Sequence, residues 1–66
     1  MKVYVAYNIV DASGISWGST VTTIPRWTRE TVKELLEALA AHARDNGHPG
    51  TEWHHITIVH HIELET

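Results

Sequence analysis

Between Lys2 and Val10 the chain alternates. Val3, Val5, Tyr7 and Ile9 share one parity, and Tyr4, Ala6 and Asn8 the other, the period-two mark of a half-buried strand. Asp11-Ala12-Ser13-Gly14 is turn chemistry, and a β-rich run from Ile15 to Ile24 follows, so the first segment predicts a hairpin. Gly18 inside the second run marks a bulge or a close backbone approach. Pro25 closes the strand. Thr28 can then cap a helix, with Trp27 and Val32 as a hydrophobic staple; Thr31 and Glu34 form a competing capping box. Val32, Leu35, Leu36, Leu39 and Ala43 recur at helical spacing, while Glu30, Lys33, Glu37 and Arg44 take the outer side, with Lys33 and Glu37 paired at i, i+4. Asn46-Gly47 ends the helix and His48-Pro49-Gly50 prevents its continuation. Alternation returns from Trp53 to Glu65. Ile56, Ile58, His60, Ile62 and Leu64 fall on one face, with His55, Thr57, Val59, His61 and Glu63 on the other.

The element order is β-β-α-β, an α+β fold in a single domain over residues 1–66. A strand–helix–strand crossover allows the third strand to lie parallel to the second. Pairing beside the first strand instead gives a three-stranded antiparallel sheet of order 2-1-3, with the helix packed on one face. That arrangement satisfies the first strand on both edges and is the one expected. One helix covers one side of such a sheet. The open side is expected to carry Tyr4, Asn8, Thr20, Thr22, His55, Thr57, Val59 and His61, nearly uncharged apart from Lys2 and Glu63 at its ends. Interface centres are depleted in charge and enriched in aromatics; an ordinary solvated antiparallel face is the plainer reading, since threonine favours strands. Both outer strands also offer edges for pairing.

Composition narrows the possibilities. Sixty-six residues form a thin core, and with no cysteine, disulfides and cysteine-ligated zinc or iron–sulfur sites are excluded. Phenylalanine is absent, so bulk comes from Trp17, Trp27, Trp53, two tyrosines and the aliphatic positions. A homodimer would compensate for so little core. Five Lys and Arg against eight Asp and Glu leave −3, and the cations are scattered, which disfavours direct nucleic-acid binding. No apolar run is long enough to cross a membrane and no signal-peptide pattern opens the chain, so a cytoplasmic protein is expected.

Six histidines are the compositional oddity; protonating all of them would take the formal charge from −3 to +3. Unperturbed histidine titrates near pH 6.5, so association or solubility should respond to mild acid. In a strand, the His54-His55 and His60-His61 doublets point to opposite faces and cannot chelate one ion. His55 and His61 share a face but lie about 20 Å apart along it, beyond the reach of one zinc. No metal and no other cofactor is expected. Ser13, Ser16 and Ser19 lack an activating motif, and Gly14 and Gly18 precede no helix as a phosphate loop requires, so catalysis is not expected. Glu30, Glu34, Glu37, Glu63 and Glu65 could together imitate a phosphate backbone, although −3 is a small charge for such a mimic.

The hairpin carrying Gly14-Ile15-Ser16-Trp17-Gly18, one amphipathic helix and a final strand resembles, in size and element order, small orphan proteins of phages and mobile elements, among them anti-CRISPR and other anti-defence inhibitors. The resemblance implies a protein that binds a host complex and blocks it. From the residues themselves, the first expectation is a non-enzymatic protein-binding module acting through the open face or an edge, with Tyr4, Trp17, His55, Thr57 and His61 as partner-binding residues. The alternative is a histidine-dependent metal-binding or pH-responsive protein.

Overall fold

A computed structural model of the chain describes residues 1–64; Glu65, which the alternation assigns to the third strand and to the acidic set, lies outside them. Strands β1 (Lys2–Asp11), β2 (Gly14–Thr23) and β3 (Ile56–Leu64) form one antiparallel sheet of order β2-β1-β3, with helix α1 (Arg29–Asp45) on one side. The α+β class and the strand order are those the sequence predicts.

Local chemistry explains each boundary. Asp11 pairs with Gly14 across a two-residue turn, where Asp11 Oδ1 accepts from the Ser13 amide (2.8 Å) and the Ser13 hydroxyl (2.6 Å). Gly14 has φ +124°, a conformation that other residues rarely adopt. Thr28 caps α1 by accepting from the Thr31 amide, and the Thr31 hydroxyl accepts in return from the Thr28 amide at 2.9 Å. At the other end the amides of Asn46 and His48 both donate to the Ala43 carbonyl, with Gly47 at φ +94°, a left-handed helix stop. Lys33 does not pair with Glu37: its Nζ lies 5.2 Å above the Trp53 ring.

The core forms between β1 and α1. Val3 and Val5 are fully buried, with Tyr7 and Ile9 beside them, against Leu35, Leu39, Ala40 and Ala43 of the helix; Ile24 and Ile56 close the two sides. Gly18 sits directly under the Tyr7 ring: a Cβ there would lie 2.8 Å from Tyr7 Cζ and Oη. This is the close approach that a strand glycine signals. After the helix, the buried Thr51 donates its hydroxyl to the His48 carbonyl (2.8 Å), and Arg44 reaches the Thr51 carbonyl (2.7 Å), so the connection is pinned to the helix end.

Two features differ from strict alternation. Trp53–His55 is a turn of 3-10 helix, so β3 begins at Ile56. Further on, β3 carries a bulge: Ala6 opposes His60, whereas Tyr7 opposes Ile58, leaving Val59 as the additional residue. A bulge adds one residue to one strand and reverses the parity beyond it. Ile56 and Ile58 therefore face the helix, as expected, but Ile62 and Leu64 lie opposite Tyr4 and Lys2 on the bare face, and His61 and Glu63 lie opposite Val5 and Val3 on the helix side. His60, expected inside, is exposed on the bare side. In β2, Thr20 and Thr22 pair with the inward Val5 and Val3 and so face the helix; Val21, Ser19 and Trp17 face outward.

Candidate protein-binding surface

The bare sheet face is built from the outward positions of all three strands. Tyr4, Ala6, Asn8 and Val10 come from β1, Ile15, Trp17 and Val21 from β2, and Thr57, Val59, His60 and Ile62 from β3. Six of these are large apolar side chains left open to solvent, from 46% exposure at Ile62 to 70% at Trp17. A single exposed apolar residue is ordinary; six on one sheet face form a contiguous patch of the kind that marks an interaction site.

Its electrostatics are equally one-sided. Among the described residues no carboxylate lies on this face: Glu30, Glu34, Glu37 and Asp45 are on the helix, Glu52 precedes the 3-10 turn, and Asp11 and Glu63 hold helix-side positions. Lys2 stands at one end, opposite Thr23 and Leu64. Near the middle, between Trp17 and Thr57, the Oδ1 of Asn8 is buried and accepts no hydrogen bond. Such an acceptor costs free energy when hidden from water.

Of the five partner-binding residues expected from the sequence, Tyr4, Trp17 and Thr57 share this face. His61 and His55 lie off it. His61 is turned to the helix side by the bulge, where its ring stacks on Trp27 with centroids 3.9 Å apart. His55 belongs to the 3-10 turn, and its Nδ1 accepts from the Glu52 amide at 3.0 Å. Val10, Ile15, Val21 and Ile62 are the apolar surface residues that sequence reasoning missed. The Ile58-Val59 and His60-His61 doublets, two apolar then two polar, were the available signal that alternation breaks.

Apart from Lys2, Tyr4 and His60, the titratable groups lie elsewhere. His54 and His55 do not point apart as strand neighbours would: the 3-10 turn brings their rings to 4.4 Å, with His54 Nδ1 3.5 Å from Glu52 Oε2. No three His, Asp or Glu side chains among the described residues are placed to hold a metal ion. At the far end of the sheet Ser13, Asp11 and His48 meet beside a depression of about 360 Å3. Asp11 occupies the middle of the three, receiving the Ser13 hydroxyl on one oxygen while His48 Nδ1 lies 3.4 Å from the other. Nucleophilic catalysis needs the imidazole next to the hydroxyl and the carboxylate behind it. The hydrogen bonds from Ser13, together with His48, hold the Asp11 carboxyl below its ordinary value, making it a weaker base. The cluster closes a turn and ties it to the helix end; it does not activate a serine.

A groove of about 400 Å3 beside Glu37, Arg44 and Trp53 is open to solvent, and its Arg44 is engaged with Thr51. No helix among the described residues is long and apolar enough to cross a membrane. No protein-family model, curated protein or solved structure matches this chain.

Proposed function

We propose that this chain is a non-enzymatic protein-binding module whose recognition surface is the bare sheet face. The observation that carries the reading is the patch itself: six large exposed apolar side chains, with the half-buried Tyr4 between them, and no carboxylate among the described residues. A surface of this kind gains most from contact with another protein, because desolvating it removes apolar area and strands no charge.

Trp17→Ala and Tyr4→Ala test this, compared with the unaltered chain as immobilised baits carrying a tag without histidines. The expected result is a protein captured in near-stoichiometric yield by the unaltered chain and lost from both variants, whose melting temperatures stay close to the original. Equal capture by all three baits would move the binding surface off this face.

A second reading, a pH-responsive protein, is favoured by the two histidine–carboxylate contacts, His48 with Asp11 and His54 with Glu52. It expects capture or association to change between about pH 7.5 and 5.5, the window in which unperturbed histidine titrates. Constant behaviour across that window would remove it.

A further inference from the structure

We infer that the occupant of the bare face is a second copy of this chain, forming a two-fold symmetric dimer with the two sheets packed face to face. The inference rests on the binding reading above and names the partner.

Area is the first argument. Ten-residue strands run about 34 Å, which matches the 36 Å long axis of a molecule measuring 36 × 19 × 18 Å. The bare face is one of the long sides, so each copy presents on the order of 650 Å2. Two copies hide on the order of 1,300 Å2, within the ~1,200–2,000 Å2 of stable specific interfaces. The helix lies on the opposite side and obstructs nothing.

Charge is the second. A protein of formal charge −3 repels its own copies over most of its surface. The bare face is where that repulsion is least, because the acidic side chains of the described residues lie elsewhere and Lys2 sits at one end. A strongly basic partner would find no counter-charge here, and a strongly acidic one only Lys2 at one end and His60 opposite Ala6. A second copy offers a surface as neutral as the one it meets.

Distribution is the third. In a two-fold interface the same patch serves both partners, so it must be self-complementary. Val21, Tyr4 and Ile62 make one bulky row across the sheet, and the smaller Ser19 and Ala6 lie in the next row beside it. A bulky row beside a lower one lets two sheets interdigitate at the roughly 10 Å spacing of a β-sandwich.

Sedimentation equilibrium of the full chain at about 50 μM, well above the dissociation constant of a standard-size interface, tests the proposal. The expected mass is twice 7.5 kDa. Trp17→Asp and Ile62→Glu, on opposite edge strands, should each halve it while the far-UV circular dichroism stays unchanged; Ala41→Asp, on the exposed side of the helix, should leave the dimer intact. If one face variant unfolds, the other still decides. A monomeric wild type, or a dimer indifferent to both face charges, overturns the inference. The binding reading fails separately, when Trp17→Ala and Tyr4→Ala capture a partner as well as the unaltered chain does.

Discussion

Trp27 and His61 stack with their rings 13° from parallel and 3.9 Å between centroids, joining the segment ahead of the helix to the part of β3 beyond its bulge. That contact gives His61 a structural task on the helix side. His61→Ala should cost about 0.5–1 kcal/mol, the range for an aromatic pair at a partly open site, and lower the melting temperature by a few degrees. His61→Phe should restore most of the loss. The mass of the assembly should not change with either variant, and a thermal melt alongside sedimentation separates the two effects.

Gly18 and Tyr7 should be coupled in the same sense. A methyl group at position 18 meets the Tyr7 ring at 2.8 Å, and Tyr7 is held in the core. Gly18→Ala should therefore cost about 1–3 kcal/mol, the usual range for overpacking. In a Tyr7→Leu background the same substitution should cost far less. A double-mutant cycle measured by denaturant unfolding gives the coupling directly; additive losses would show that the ring is not the obstacle.

Asp11 makes stability depend on acid. Its folded-state carboxyl lies below the ordinary 3.8, chiefly through the Ser13 hydroxyl and then the Ser13 amide. Because the folded value is the lower one, the contribution is fully present above the unfolded value and is lost as pH falls through the folded one. Asp11→Asn should thus be less stable than the wild type near neutral pH, with the difference shrinking between about pH 5 and 2. Ser13→Ala should flatten this dependence more than His48→Ala does, since the serine bonds are the larger cause. A series of melts across that range would show the order.

The strands and the helix were legible because β1 and α1 are periodic and each run is bounded by turn or capping chemistry. Gly18 was legible as a close approach, since a glycine in a strand needs a reason. The parity of β2 was also within reach: a two-residue turn pairs Asp11 with Gly14 and so places Thr20 opposite Val5 and Thr22 opposite Val3. Threonine on both parities hid that consequence, because it suits either face. The second half of β3 was harder to read. Ile56, Ile58, Ile62 and Leu64 share one parity, and the residue that breaks their common side, Val59, is displaced only by pairing with β1. Bulges of this kind arise from tertiary pairing, leaving in the sequence only adjacent residues of like polarity. The meeting of Asp11 with His48, 37 positions apart, left no local trace.

The bulge at Val59 divides the labour of one strand between two kinds of selection. Substitutions at Ile56 and Ile58 act on the fold of a single chain, because these residues pack with its core. Those at Ile62 act on what the folded chain touches. A saturation library scored once for abundance and once for association should therefore change parity at position 59: abundance should fall with changes at Ile56 and Ile58 before it and at His61 after it, association with changes at Thr57 before it and Ile62 after it. The change would be one residue wide, since a single inserted position exchanges the side that belongs to the molecule for the side that belongs to its neighbour.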